Sequence, residues 1–180
     1  MIIKASIEQF KDEWSFLSNM YDSEPIEFKG VTYRSSEHFY QCCKFLIGSE
    51  ERQEILDVVE PKHAKSLARK LVMAGNNITR YWDEPAIKGH DPIKIIVMRK
   101  AIEIKFAKGS HLAELLVMTG NAYLKEGNWW GDNFWGDCQI KHGCKGHRSN
   151  IPCAKIKGEN WLGKLLSARR NELVRGGAGL

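Results

Sequence analysis

No apolar run in this chain approaches the roughly 18 residues that a membrane-spanning helix needs, so an integral membrane protein is not expected. The opening stretch, Met1-Ile-Ile-Lys-Ala-Ser-Ile-Glu8, has a lysine and a glutamate inside its apolar residues, which argues against a secretory signal. A disulfide framework is missing too. The five cysteines are an odd number, and Cys42 and Cys43 are adjacent, where they cannot usefully bridge each other. No Cys-x-x-Cys pair occurs, and neither an internal repeat nor a linker divides the chain. Reduced thiols and a cytoplasmic location are the expectation.

What is present is ordinary for a folded protein. An apolar share of 43% and a charged share of 27% exclude general disorder, and 180 residues can bury a core as one domain. The net charge of +5 is unevenly placed: from Lys141 to Leu180 there are nine Lys or Arg against two acids, Glu159 and Glu172. That asymmetry permits a polyanionic or phosphorylated ligand.

Read in order, Met1 to Phe10 is a short strand, and Ile26 to Tyr33 alternates around Lys29-Gly30 as a hairpin. A helix begins near Ser36. Others are expected from Glu50 to Val59, from Pro61 to about Met73, from Asp91 to Ala107, from Leu112 to Met118 and from Trp161 to Leu173. Residues 121–159 are rich in Gly, Trp, Cys and His with little periodicity, which marks a long loop, functional or disordered. The fold class is therefore α+β, a mainly α-helical single domain with a small β-hairpin or sheet over residues 1–175, followed by a fraying tail, 176–180.

The helix that starts near Ser36 stands out. Ser35 and Ser36 are good N-caps, and Glu37 falls in the first turn, where the helix dipole favours a carboxylate. At about 100° per residue Glu37, Tyr40, Gln41 and Lys44 share one side, while Phe39, Cys42, Cys43 and Leu46 cover the other. Taken alone, the polar stripe reads as a solvated face, Lys44 as a surface lysine, and the two cysteines as inert packing residues.

Together the pieces resemble the NADAR family, the NAD- and ADP-ribose-associated N-glycosidases. The residues that carry the resemblance begin with Phe16-Leu-Ser-Asn19, Gly30 and Tyr33, Glu37-His38, Gln41 and Lys44-Phe45. Ala64-Lys65, Val97-Met98, Lys105-Phe106, Leu115-Leu116 and Thr119-Gly120 follow. Asp132-Asn-Phe-Trp135-Gly136, Gly158-Glu-Asn-Trp-Leu-Gly163, Leu165-Leu166 and Arg169 complete the set. Each motif is short, but their number and order span residues 16 to 170. Two departures stand out: a long Cys/His-rich stretch from Asp137 to Lys157, and Ile87-Lys88 where family members often carry an arginine.

The resemblance implies cleavage of a ribosyl C1–N bond without a cofactor. Two substrate classes go with the family: ADP-ribose attached to guanine in nucleic acid or nucleotides, and the ribosylamino-pyrimidine phosphate of riboflavin biosynthesis. A non-catalytic module that binds ADP-ribose or nucleic acid is the alternative, and the basic C-terminal stretch inclines slightly towards the ADP-ribosyl substrate. Such chemistry needs a carboxylate near C1, where positive charge develops, and Glu37 is the candidate. Lys44 would bind phosphate or attack C1 of an opened sugar, and Asp132 would position ribose or a water. Ser18, Asn19, Tyr33, His38, Gln41, Trp130, Trp135, Gly136 and Asn160 are the implied substrate contacts. Trp129, Trp130, Phe134 and Trp135 could stack on a base, with some of these rings expected to be buried instead.

Cys138, His142, Cys144, His147 and Cys153 have the ligand types of a structural zinc site. Their irregular spacing favours free thiols and solvated histidines, so no metal is expected.

Overall fold

A computed structural model describes residues 5–22, 24–76, 78–140 and 157–177. The elements, in chain order, are β1 (Ser6–Ile7), a 3-10 helix (Asp12–Leu17), β2 (Ile26–Phe28), β3 (Val31–Tyr33), α1 (Ser36–Cys42), α2 (Glu50–Asp57) and α3 (Pro61–Met73). Then come α4 (Ile93–Lys105), α5 (His111–Met118), β4 (Tyr123–Leu124), β5 (Gly127–Asn128), β6 (Asp137–Cys138) and α6 (Trp161–Gly177). The fold is α+β, as expected. No described helix is long and apolar enough to cross a membrane. Contacts gather the chain into two compact units, one of Met1–Ser18 with Phe106–Leu180, the other of Asn19–Lys105.

In the second unit, β2 and β3 pair antiparallel with Ile26 opposite Tyr33 and Phe28 opposite Val31. Lys29 and Gly30 both have left-handed φ, 51° and 76°. Two such residues in succession make the turn whose twist matches that of the paired strands, and glycine takes the second place without strain. The hairpin leads into α1, which packs on α2, α3 and α4. Phe39 of α1 meets Phe28 and Tyr33 edge-on, at ring separations of 5.5 and 5.0 Å. Cys42, Phe45, Ile55, Ala64, Ala68 and Ala101 close the core around it.

The first unit holds two parallel two-stranded pairs, β1 with β4 and β5 with β6, and α6 packs on α5 and β4. Its buried side chains include Phe16, Leu17, Phe106, Leu116, Leu124 and Leu166.

The sequence reading departs from the structure in three places. First, α1 ends at Cys42 and every one of its seven residues is buried, so its polar stripe is enclosed rather than solvated. Cys43 caps the helix and Leu46, expected in the core, is exposed. Second, the segment from residue 121 onward contains three two-residue strands, too short for any periodicity to announce. Third, α6 continues through Gly176 and Gly177, beyond the point where fraying was expected.

Candidate active site

The site in the second unit grows from the N-cap of α1. Ser35 Oγ accepts the His38 amide at 3.3 Å and lies 2.8 Å from His38 Nδ1. The other ring nitrogen, Nε2, faces the Val58 carbonyl at 3.0 Å. A carbonyl can only accept, so Nε2 carries the proton and Nδ1 accepts from the Ser35 hydroxyl. Burial lowers the pKa of this imidazole, with the Val58 carbonyl opposing. His38 is thus a neutral structural residue with both nitrogens engaged inside the protein; the resemblance had placed it among the substrate contacts.

Glu37 follows the cap. Its amide donates to the Asn19 carbonyl at 3.1 Å, and the Asn19 side chain lies 3.0 Å from the Met98 sulfur of α4. One turn on, Gln41 Nε2 donates to Glu37 Oε1 at 2.6 Å. Both side chains are buried, and Gln41 Oε1 has no partner among the described residues. A carboxylate taken out of water in this way requires compensation, and a short bond from a fixed amide supplies part of it.

Lys44 lies past the end of α1, in the turn where its amide bonds to the Gln41 carbonyl at 3.2 Å. The sequence had placed it on one side of the helix with Glu37, but the helix ends at Cys42. The Thr79 amide and hydroxyl hold the Lys44 carbonyl at 2.6 and 3.0 Å, which fixes the turn. The ammonium sits over the Tyr40 and Trp82 rings, 5.5 and 5.9 Å from their centres. Burial lowers its pKa; Glu37 opposes this, Lys65 adds to it, and Asp83 opposes. Glu37, Gln41 and Lys44 thus form one electrostatic cluster, backed by Asn19.

Tyr33 is a core residue of the same unit. It is 1% exposed, and its hydroxyl accepts from Arg52 at 2.7 Å. The same Arg52 reaches the Cys42 carbonyl at 3.4 Å, which ties down the end of α1. Cys42 and Cys43 are inert packing thiols, as read from the sequence; burial pushes Cys42 up to about 12.

The remaining expected residues belong to the first unit. Ser18 ends the 3-10 helix, its amide bonded to the Ser15 carbonyl. Asp132 organises its own loop: Oδ1 accepts the amides of Phe134 and Trp135 at 3.1 and 2.9 Å. Asn128, fully buried, completes the turn by accepting from the Trp130 and Asp132 amides and donating to the Asp132 carbonyl at 2.6 Å. Trp129 and Trp130 stand exposed on this turn, while Phe134 packs edge-on against Trp135 at 4.9 Å and stacks on Trp161.

A side chain at Gly136 would fall on the Glu126 carbonyl, so only glycine fits there. Asn160 is a knot: its Oδ1 accepts the Glu126 amide, its Nδ2 donates to the Leu124 carbonyl at 2.8 Å, and its φ is 52°. Asparagine tolerates that left-handed conformation better than most residues.

Two residues with marked environments were not among the expected site residues. Lys105 is 5% exposed, with its ammonium 5.1 Å from the Tyr21 ring centre, and burial lowers its pKa to about 7. The signal was available, since Lys105 continues the apolar stripe of Met98 and Ile102 at helical spacing. Asn128 offered no signal at all.

Two of the basic C-terminal residues, Arg169 and Arg170, are engaged within the unit. Arg169 donates to the Phe106 carbonyl through two nitrogens and pairs with Glu172. Arg170 is buried and donates to Thr119 Oγ1 and the Ala122 carbonyl at 2.8 and 3.0 Å. Of the zinc candidates, Cys138 is buried, whereas His142, Cys144, His147 and Cys153 lie outside the described residues. Among the described residues no cluster of three His, Cys, Asp or Glu could hold a metal.

Residues 7–174 match the NADAR domain. The chain is 33% identical over 163 residues to N-glycosidase YbiA of Escherichia coli (strain K12), covering 91% of this chain and 84% of that protein. It is also 32% identical over 160 residues to a riboflavin biosynthesis protein of Vibrio vulnificus, a match that takes 88% of this chain and 35% of the other. The NMR structure of E. coli YbiA is similar over 100% of this chain and 97% of that one, with a TM-score of 0.67 at 28% identity. By sequence along nearly its whole length, the chain belongs to the NADAR family.

Proposed function

We propose that the protein is an N-glycosidase that hydrolyses a ribosyl C1–N bond, with Glu37 as the carboxylate at C1. The observation that carries this reading is the buried Glu37–Gln41 pair with the Lys44 ammonium in electrostatic reach. As the C–N bond lengthens, positive charge gathers at C1 and the ring oxygen, and an oriented carboxylate in a dry setting stabilises it. The same carboxylate accepts a proton from the water that adds to C1. Lys44, whose ammonium burial has destabilised, gives its proton to the departing nitrogen. Asp132 contributes by holding the Phe134–Trp135 backbone.

Of the two substrate classes, a ribosylamino-pyrimidine phosphate is the better supported. The Vibrio relative is a riboflavin biosynthesis protein by name. Arg169 and Arg170 are engaged inside the protein and are not available to nucleic-acid phosphates. The decisive experiment incubates purified protein with a ribosylamino-pyrimidine phosphate and, separately, with ADP-ribosylated guanosine nucleotides, identifying the released base and sugar by mass spectrometry. Release from the first and not the second is expected. Binding of ADP-ribose without cleavage of either substrate would make the protein a binding module instead.

A further inference from the structure

Gln41 is 2% exposed, yet among the described residues only one end of its amide is satisfied. Gln41 Nε2 donates to Glu37 Oε1 at 2.6 Å, so the end of the amide that faces Glu37 is the NH2 group. The amide oxygen therefore points away from Glu37, and among the described residues no group donates to it. A buried acceptor without a donor is costly, whereas an apolar side chain of the same length would fill the space without that cost. The bond to Glu37 also prevents the amide from rotating to find a partner elsewhere. One acceptor, across the Gln41 amide from the Glu37 carboxylate, is thus left unpaired among the described residues.

We propose that the donor to this acceptor is the 2-hydroxyl of the ribosyl group, so that Gln41 restricts the enzyme to ribosyl over 2-deoxyribosyl substrates. The proposal rests on the glycosidase reading, in which Glu37 faces C1. With the carboxylate at C1, the hydroxyl on the next carbon is the nearest sugar donor, and the 3-hydroxyl lies one carbon further away. A site that commits a buried acceptor to a hydroxyl rejects the analogue lacking it, because the acceptor is then left unpaired again. Some leaving groups also carry an N–H near C1; ribose 5-phosphate and 2-deoxyribose 5-phosphate both carry a 1-hydroxyl in its place, so a preference between them reports on the 2-hydroxyl alone.

The test measures inhibition of the wild-type hydrolysis reaction by ribose 5-phosphate and by 2-deoxyribose 5-phosphate, repeated with Gln41→Met. Ribose 5-phosphate should inhibit the wild type about tenfold or more tightly than the deoxy sugar, and in Gln41→Met the two should differ by less than about twofold. Should Gln41→Met fail to fold, 2-deoxy-2-fluororibose 5-phosphate serves with the wild type. Fluorine cannot donate, so that sugar must be as weak as the deoxy one. Equal inhibition by the two sugars, inhibition by neither, or a preference that survives in Gln41→Met overturns the proposal. A wild-type protein that hydrolyses neither substrate class brings down the glycosidase reading itself, a different result from active enzyme that treats the sugars alike.

Discussion

Three side chains of the second unit separate charge, proton and packing in ways that substitution can resolve. Glu37→Gln removes the charge but keeps the volume and an oxygen that can still accept from Gln41. Turnover should fall at least about a hundredfold while the melting temperature moves little, as steady-state kinetics and thermal denaturation would reveal. Lys44→Arg keeps a positive charge over the Tyr40 and Trp82 rings, but its proton is not available near neutral pH. Activity should be lost with the arginine; full retention would reduce Lys44 to a fixed charge. Lys105 bears on stability. Its folded pKa of about 7 lies below the ordinary lysine value, so between these limits the unfolded chain binds more protons than the folded one. Stability should therefore rise with pH from about 7 towards about 10, the burial penalty being fully present below that window. Lys105→Met should raise the melting temperature at pH 7 by several degrees and flatten this dependence, which denaturation across the pH range would show.

The loop around Asp132 distinguishes a catalytic charge from a structural acceptor. Its Oδ1 holds the Phe134 and Trp135 amides, a task an asparagine oxygen performs equally well. Asp132→Asn should keep most activity, while Asp132→Ala should lose it and cost about 1–3 kcal/mol through unpaired amides. Strong inactivation by the asparagine variant with unchanged stability would return Asp132 to the chemistry, as chemical denaturation beside kinetics would establish. At this scale much was legible in advance. Pro61 in the first turn of α3 and the Lys29-Gly30 turn of the hairpin are local conformational preferences, and both elements stand where those residues place them. α1 was misjudged in length because its end comes from outside the helix. Arg52 and Thr79 take the carbonyls of Cys42 to Lys44, and neither contact is visible in local periodicity.

For the molecule as a whole, the net charge of +5 says less than its distribution suggested. Arg169 and Arg170 bind carbonyls and a hydroxyl within the first unit, so they are poorly placed to release counterions from a polyanion. The substrate Michaelis constant should accordingly change less than about threefold between about 50 and 300 mM salt. A steep rise measured in a salt titration would restore the nucleic-acid substrate. Arg170→Ala should instead lower stability by about 1–3 kcal/mol, since Thr119 Oγ1 and the Ala122 carbonyl would lose their donor.

Local chemistry written in the sequence determined the elements: caps at Ser35 and Ser49, proline at the start of α3, and apolar stripes that open into the core. It also supplied, through motif order, the family and the choice of Glu37. What the residues become was decided by tertiary structure. Only the enclosure of α1 by α2, α3 and α4 turns Glu37 and Gln41 from a solvated stripe into a buried pair, and Lys44 into a destabilised ammonium. Only packing makes His38 neutral, Asn160 a left-handed knot and Lys105 a titrating group near pH 7. The reason is physical: propensity and periodicity act over a few neighbouring residues, whereas desolvation depends on every atom that displaces water, and most of those atoms lie far away along the chain.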